Sequence, residues 1–404
     1  MRFNPRLLEI AGLDEAFARL DELEPSEQGR AIMAPKMVCR VIRVDNVDTK
    51  AANILKQNML SIGGEVSVPR EVFDYGGKKV SAVISGSLKH HKMLISKLKR
   101  QPFGLKALAV EIEQLLRSSQ ADEGRVLRLG DKRFDLDERT LIMGVVNVTP
   151  DSFSDGGLFY DPQKAVGHAL RLLDEGADIL DIGGESTRPG SEFITLEEEL
   201  RRVMPVLEGI LDEADVPVSI DTTKAEVARR ALDAGCAMVN EISAMRLDPD
   251  MLPLVVERGV TFCLMHMQGM PKDMQAEPHY EDVIGEIAFF LRERAEAATE
   301  AGADPSRIIL DPGIGFGKNL RHNLEILRRL GELKSLGYPI LLGTSRKSFI
   351  GSILDLPVEE RVEGTAASVT MGIANGADII RVHDVKEMTR VARVADAIAG
   401  KGKE

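Results

Sequence analysis

Eight short apolar runs recur in the chain from residue 141 onward, and each is followed by a stretch with the apolar spacing of an amphipathic helix. The runs are rich in Val, Ile and Leu at successive positions, a pattern typical of parallel strands that are covered on both faces. One strand and one helix together occupy roughly thirty residues, the size of a β-α-β crossover. The predicted strands are residues 141–148, 178–183, 217–221, 237–242, 260–266, 307–311, 340–344 and 378–383.

The number and regular spacing of these units predict an α/β fold of the (β/α)8 TIM-barrel type. No long insertion interrupts them, and a doubly wound open sheet would need a reversal of strand order that the sequence does not show. Several helical stretches end in glycine just before the next strand, which suits a helix C-cap. All eight strands are therefore expected to direct their carboxyl ends into one cup, where barrels of this kind bind ligands.

Polar residues stand at or just after these carboxyl ends. A single Asp in such a position is commonly only a helix N-cap, but a polar residue after almost every strand indicates a shared site. Three carboxylates and two amides suit a heterocycle that is rich in N–H donors and has a guanidine-like edge. The predicted ring consists of Asn147, Asp181, Asp221, Asn240, His266, Asp311, Lys347, Arg381 and His383.

The loops after the strands add cations and an aromatic side chain to this set of polar residues. Arg188 lies between glycines in GGESTRPG, which favours anion binding over an ordinary surface arginine, and its neighbour Thr187 can orient a ring or carboxylate. The loop after the seventh strand brings Arg346 and Lys347 to the cup, in a region where such barrels often bind phosphate. In DPGIGFGKN, Phe316 can stack on a planar substrate.

The first 122 residues predict a separate small α+β domain. They contain β-like runs at 38–44 and 79–86, helical stretches at 49–62 and 88–99, and one amphipathic helix at 6–23. The polar stretch SSQADE predicts a linker, so we divide the chain into domains 1–122 and 123–404 at Asp122. A hairpin at residues 125–136 is expected to lead into the first barrel strand.

Composition limits the classes of partner. The net charge of -12 argues against binding to nucleic acid. Cys39, Cys236 and Cys263 have no CxxC spacing and lie in apolar contexts, which predicts buried reduced thiols rather than zinc ligands or disulfides. The sequence shows neither a signal-peptide pattern nor an apolar run of membrane-spanning length. We therefore expect a cytoplasmic protein whose partners are small molecules, with no nucleic acid and no membrane among them.

Seven motifs follow one another in a fixed order: NVTPDSFSDGG, DIGGESTRPG, SIDTTK, LMHMQGMPKDMQ, DPGIGFGKN, TSRKSFIG and RVHDV. In this combination the chain, over about residues 125–400, resembles the dihydropteroate synthase family, pterin-binding TIM-barrel transferases of folate biosynthesis that sulfonamides target. The resemblance implies condensation of 6-hydroxymethyl-7,8-dihydropterin diphosphate with 4-aminobenzoate, giving 7,8-dihydropteroate and pyrophosphate. It also implies Mg²⁺ and a homodimer. The segment before Asp122 has no counterpart in the short members of the family.

The resemblance also implies a role for each matching residue. The pterin pocket would comprise Asp221, Asn240, Asp311 and Lys347, supported by Asp181. Asn147 would meet Mg²⁺ and the diphosphate, and Arg188, Arg381 and His383 would contact the phosphates. The 4-aminobenzoate site would be formed by Phe153, Thr187, Arg188, Pro189, Phe316 and Ser348. The implied catalytic residues are Asn147, Arg188, Lys347, Arg381 and His383. Glu241 stands where many members have Asp, a departure expected to affect only the geometry around the pocket.

Two other functions fit part of this pattern. A pterin-barrel methyltransferase would use the same carboxylate and amide pocket for methyltetrahydrofolate, but it has no need for the cations Arg188, Lys347, Arg381 and His383. A catalytically silent binding protein could share the scaffold, because a fold does not fix a function. Formation of dihydropteroate from both substrates would separate these functions from a synthase.

Overall fold

The computed structural model describes residues 4–74, 78–118, 124–149, 161–186, 194–270 and 274–402. The chain divides into two compact units, Met1–Asp122 and Glu123–Glu404. Each unit has its own hydrophobic core.

The first unit is a small α+β fold, as expected. Its elements are α1 (Leu13–Asp21), α2 (Glu27–Met37), β1 (Cys39–Asp48), α3 (Thr49–Leu60), β2 (Glu65–Ser67), a 3-10 helix (Arg70–Asp74), β3 (Lys79–Ser87), α4 (Leu88–Leu98) and α5 (Leu105–Ser118). The three strands pair antiparallel in the order β1-β3-β2. Burial alternates along β1, where Ile42 and Val44 are buried and Val41 is exposed, so the sheet packs one face against the helices.

The amino-terminal helix differs from the prediction for residues 6–23. Helix α1 begins only at Leu13, because Gly12 before it is extended, and Leu7 lies fully exposed outside the helix. A second helix, α2, was not predicted, because Pro35 and the polar residues at its start interrupt the spacing of apolar residues that is typical of a helix. Its first turn is stabilised by Ser26, whose hydroxyl accepts a hydrogen bond from the Gly29 N–H.

The second unit is the predicted eight-stranded parallel barrel. Its strands are β6 (Leu141–Asn147), β7 (Ile179–Gly183), β8 (Val218–Asp221), β9 (Met238–Glu241), β10 (Thr261–Met265), β11 (Ile308–Asp311), β12 (Leu341–Leu342) and β13 (Ile379–Val382). They are hydrogen-bonded in the order β11-β10-β9-β8-β7-β6-β13-β12, and a parallel bridge from Leu310 to Ile340 links the two ends of this order. The carboxyl ends of the strands therefore share one side of the barrel.

Helices cover the outside of this barrel. They are α6 (Pro162–Asp174), α7 (Leu196–Glu213), α8 (Ala225–Asp233), α9 (Met251–Arg258), α10 (Val283–Glu300), α11 (Leu320–Arg329), α12 (Ser348–Leu354), α13 (Val362–Ala374) and α14 (Val385–Ile398), with short 3-10 helices at Pro305–Arg307, Leu330–Leu336 and Val358–Glu360. Their buried faces form the main core together with strand residues such as Ile182, Ile220 and Val382. Because side chains alternate along a strand, the residues next to these three point into the barrel.

A hairpin packs against the amino-terminal end of the barrel. Strand β4 (Val126–Leu129) pairs antiparallel with β5 (Lys132–Asp135) across a turn in which Gly130 has φ +60°. Leu127 of the hairpin and Met143 of the barrel belong to the same buried cluster. The hairpin therefore covers the inner residues at this end, and the opposite, carboxyl end is where a ligand can enter.

The prediction for the cysteines was right for two of the three. Cys236 and Cys263 are buried free thiols, and burial raises the pKa of Cys236 to about 12. Cys39 is exposed because it begins β1, where its side chain lies on the open side of the strand.

Of the helices in the described part of the chain, none combines the length and the apolar character needed to cross a membrane.

Candidate active site

Four of the predicted residues form one hydrogen-bonded group inside the cup, here called the carboxylate cluster: Asp181, Asp221, Asn240 and Arg381. Asp181 Oδ2 accepts hydrogen bonds from Asn240 Nδ2 at 3.0 Å and from Arg381 Nε at 2.6 Å. The terminal nitrogen Nη2 of the same guanidinium donates to Asp221 Oδ2 at 2.8 Å. Asp181 is fully buried and the Asp221 side chain is 14% exposed, so Arg381 joins two carboxylates that have little access to water.

Strand register explains why these side chains meet. Asp221 on β8 lies beside Gly183 on β7 and beside Asn240 on β9. Ile182 and Ile220, the neighbours of Asp181 and Asp221 along their strands, pack in the core under the helices. The polar residues alternate with them and therefore face the interior of the barrel.

Burial controls the charge of the cluster. It raises the pKa of Asp221, with the nearby charge of Asp181 acting in the same direction and that of Arg381 opposing it. Burial alone would lower the pKa of Arg381, but Asp181 and Asp221 together raise it above its usual value. The guanidinium is therefore charged at any working pH, whereas Asp221 can take up a proton more easily than an exposed carboxylate.

Asp311 and Lys347 bring opposite charges to the same cup. Asp311 ends β11, and its Oδ1 accepts a hydrogen bond from the Gly313 N–H at 2.6 Å. Lys347 precedes α12, and its Nζ lies 4.4 Å from the centre of the Phe316 ring. Burial raises the pKa of Asp311 to about 6 and lowers that of Lys347 to about 8. Both groups thus titrate near neutral pH, as is common at functional sites.

Asn147 and His383 meet at the ends of β6 and β13. Asn147 Nδ2 lies 3.5 Å from His383 Nε2, and His383 Nδ1 lies 3.0 Å from the hydroxyl of Ser345. Burial, with the charge of Arg381 acting in the same direction, lowers the pKa of His383 to about 3. His383 is therefore neutral at neutral pH and offers hydrogen bonds rather than a positive charge.

Lys318 is a structural residue of the cup that the sequence did not single out. Its ammonium group is buried and contacts His266 Nδ1 at 3.0 Å and the Phe316 carbonyl at 2.9 Å. His266 itself packs edge-on against Phe290 of α10, with ring centres 5.0 Å apart. The prediction that His266 belongs to the ligand-binding ring is therefore not supported by its position. His266 instead joins the loop after β11, through Lys318, to helix α10, through Phe290.

Glu241 has a clear structural role. Its carboxylate accepts hydrogen bonds from the N–H and the hydroxyl of Ser243, at 2.9 and 2.6 Å, and from the Met245 N–H. Ala244 and Met245 both have positive φ, a conformation that needs such support. The residue that departs from the usual Asn-Asp pattern therefore shapes the loop after β9, while Asn240 beside it faces the cup.

A second buried ion group lies near the ends of β7 and β8, and it too was missed. Lys224 Nζ donates to Glu185 Oε2 at 2.5 Å and to Glu199 Oε2 at 2.6 Å, and the Glu199 side chain is fully buried. The sequence signals were the terminal lysine of SIDTTK and the glutamate of DIGGESTRPG. This group ties α7 and the segment after β8 to Glu185, which immediately precedes the SerThrArgPro stretch.

Four of the predicted residues lie outside the described part of the chain: Phe153, Thr187, Arg188 and Pro189. Ser348 is exposed at the start of α12. Arg346, predicted to reach the cup, instead forms an ion pair with Asp384, with Nε 3.0 Å from Oδ2. This pair joins the loops after β12 and β13, so Lys347 is the cation that this loop brings to the cup.

Comparison with known proteins agrees with this geometry. The family model for pterin-binding enzymes matches residues 143–383. A dihydropteroate synthase from Synechocystis sp. is 50% identical over 273 residues, which are 67% of this chain and 94% of that protein. A solved structure of Xanthomonas albilineans dihydropteroate synthase with 4-aminobenzoic acid is 45% identical, with a TM-score of 0.64, and the match covers 68% of this chain and 98% of that one.

A (β/α)8 barrel with a buried carboxylate and amide pocket at its carboxyl end, together with these matches, defines a pterin-binding enzyme. Within that class, the chain belongs to the dihydropteroate synthase family, transferases of folate biosynthesis.

One relative also extends over the first unit. A probable bifunctional folylpolyglutamate synthase/dihydropteroate synthase from Haloferax volcanii is 38% identical over 392 residues, which are 95% of this chain and 46% of that protein. The first unit thus has a counterpart in a longer protein.

Proposed function

We propose that this chain condenses 6-hydroxymethyl-7,8-dihydropterin diphosphate with 4-aminobenzoate to give 7,8-dihydropteroate and pyrophosphate. The observation that carries the proposal is the carboxylate cluster, in which buried acceptors lie beside Arg381 at the carboxyl end of the barrel. Family membership supports the same reaction.

In this proposal Asp221, Asn240, Asp311 and Lys347 bind the pterin, and Asp181 supports them. Carboxylates that accept N–H bonds from a guanidine-like edge make charge-assisted contacts, and losing one costs about 1.5–3 kcal/mol. We expect Asp221→Asn or Asp311→Asn to weaken binding of the pterin diphosphate about tenfold to a hundredfold in calorimetric titration. Asp212→Asn, on the exposed side of α7, is the matched control. Unchanged affinity in both site variants, with circular dichroism unaltered, would show that the pterin binds elsewhere.

The diphosphate is assigned to Asn147, Arg381 and His383, together with Arg188. Arg381 is permanently charged, and the neutral His383 can donate a hydrogen bond to a phosphate oxygen. Such preorganised groups stabilise the negative charge that develops on the leaving pyrophosphate, often the largest catalytic contribution. We therefore count Asn147, Arg188, Lys347, Arg381 and His383 as the catalytic residues.

Mg²⁺ is proposed to bind at Asn147. Among the described residues, no three His, Cys, Asp or Glu side chains are grouped to hold a metal ion. A Mg²⁺ ion that binds through substrate phosphates needs only one or two protein oxygens. Asn147 offers its amide oxygen, because its nitrogen faces His383. When bound, the ion would neutralise charge on the diphosphate.

The second substrate, 4-aminobenzoate, is assigned to Phe316 and Ser348, with Phe153, Thr187, Arg188 and Pro189 completing its site. The amine is already a neutral nucleophile at pH 7 and needs positioning rather than activation. We propose an ordered reaction. The bond from the pterin methylene carbon to the diphosphate oxygen breaks first, the amine nitrogen then bonds to that carbon, and the nitrogen releases a proton to solvent.

The decisive experiment measures pyrophosphate release with both substrates and with each one omitted. Release that requires both, with formation of dihydropteroate, supports the proposal and excludes a methyltransferase or a silent binding protein. The absence of release by a folded protein would refute it. We also propose that the chain acts as a cytoplasmic homodimer. Analytical ultracentrifugation of the full chain would test the dimeric state.

A further inference from the structure

The chain that leaves β7 is held from two sides. Arg202, on α7, donates from Nη1 to the Gly184 carbonyl at 2.9 Å. Lys224, which immediately precedes α8, donates from Nζ to Glu185 Oε2 at 2.5 Å. Gly184 also packs directly on α7, where an added Cβ would lie 2.7 Å from Val203 Cγ1. Two consecutive residues, Gly184 and Glu185, are therefore fixed by groups from α7 and from the start of α8.

The ion group around Lys224 contains more carboxylates than charge balance requires. Lys224 Nζ also donates to Glu199 Oε2 at 2.6 Å, and the Glu199 side chain is fully buried while that of Glu185 is 10% exposed. Burial by itself would lower the pKa of Lys224, but the hydrogen bonds to both carboxylates raise it. Among the described residues, Glu199 Oε1 has no hydrogen-bond partner. Two carboxylates thus share one ammonium, which is not the arrangement that stability alone favours.

What Glu185 adds to this group is a link to the loop after β7. Glu199 alone would balance the charge of Lys224, so the second carboxylate is not needed to neutralise the ammonium. Glu185 lies two positions before residues 187–189, which are assigned above to 4-aminobenzoate. A peptide chain spans at most about 3.6 Å per residue, so an anchored Glu185 limits the positions open to the residues just after it.

Building on the proposed function, we propose that Glu185, held by Lys224, is a positioning residue for 4-aminobenzoate: it fixes the point from which residues 187–189 reach this substrate. The pterin pocket does not depend on the same anchor. Asp221 and Asn240 lie at strand ends, beside each other in the register of β8 and β9. Loss of the anchor should therefore weaken the use of one substrate and leave binding of the other intact.

Steady-state kinetics and calorimetric titration of the full chain separate these two effects. At saturating pterin diphosphate, we expect Glu185→Met to lower kcat/KM for 4-aminobenzoate at least about tenfold, because a misplacement of ~1 Å can cost on the order of a hundredfold. Its calorimetric affinity for the pterin diphosphate should be unchanged. Glu185→Gln keeps an acceptor oxygen for Lys224 and should retain most of the activity. Arg230→Met, which removes an exposed ion pair with Glu226 on α8, is the matched control.

Weaker binding of the pterin diphosphate in Glu185→Met, or an undiminished kcat/KM for 4-aminobenzoate, would overturn the proposal. If Glu185→Met does not fold, the double variant Glu199→Gln/Lys224→Met replaces it, since it removes one charge of each sign and leaves Glu185 without its anchor. The same selective loss is expected there, and its absence would count equally against the role of Glu185. A wild-type enzyme that forms dihydropteroate while the variants show no selective loss would refute this role alone. A folded wild type without turnover would refute the proposed function, and this role with it.

Discussion

Replacing Gly313 with alanine tests whether the loop after β11 holds Asp311 in place. Gly313 has φ +67°, and an added Cβ would lie 2.0 Å from the backbone oxygen of His266. Gly259, at the end of α9, has a similar φ of +60° and no atom within 4 Å of its added Cβ. The two glycines therefore share the conformational penalty and differ in the steric one.

The magnitudes follow from this comparison. Alanine in the left-handed region costs about 1 kcal/mol, so Gly259→Ala should lower the melting temperature of the barrel by about 2 °C. Gly313→Ala adds an overlap that only a shift of about 1 Å can relieve, and such overpacking costs about 1–3 kcal/mol more. We therefore expect a decrease in the melting temperature of about 4–8 °C.

The functional effect should be larger still. The Gly313 N–H donates to Asp311 Oδ1, so a displaced loop also displaces a proposed pterin ligand. A misplacement of about 1 Å can cost on the order of a hundredfold in kcat/KM. Differential scanning calorimetry and the pyrophosphate-release assay would measure the two effects. If Gly313→Ala matched Gly259→Ala in melting temperature and retained full kcat/KM, the steric reasoning would be wrong.

Three further predictions concern the pocket and the two units. We expect kcat/KM to fall below about pH 6, where Asp311 gains a proton and its contacts with N–H donors lose their charge assistance, and above about pH 8, where Lys347 loses its charge. An alkaline limit unchanged in Lys347→Arg would contradict the second assignment. Lys318→Met should reduce the free energy of unfolding by about 1–3 kcal/mol, because two carbonyls and His266 lose their donor, whereas exposed Arg321→Met should have little effect in the same denaturation assay. Residues 123–404 alone should fold and retain synthase activity, since all proposed site residues lie there, and a soluble, monodisperse but inactive fragment would show that the first unit is needed.

The first unit shows where local pattern ceases to be informative. Strands β1 and β3 and helices α3 and α4 were predictable because their apolar spacing matches the period of each element. Helix α2 was not, since Pro35 interrupts its pattern and its stability depends on packing in this unit. Leu7 has the apolar spacing of a core residue in the sequence, although it is exposed. Its exposure, too, depends on packing in this unit and not on the local pattern.

In the barrel, the sequence by itself determined the eight strands, their parallel arrangement and the identity of the polar residues at their carboxyl ends, because strand and helix periodicity and strand ends are local properties. Only the tertiary structure decided which of those polar groups meet. Arg381 joins Asp181 and Asp221 from 200 and 160 residues away, whereas His266, equally polar and at an equivalent position, turns toward Lys318 and α10. The physical reason is that strand register and desolvation determine which groups pair with a buried charge. Both depend on the closed barrel and not on the neighbouring residues in the chain.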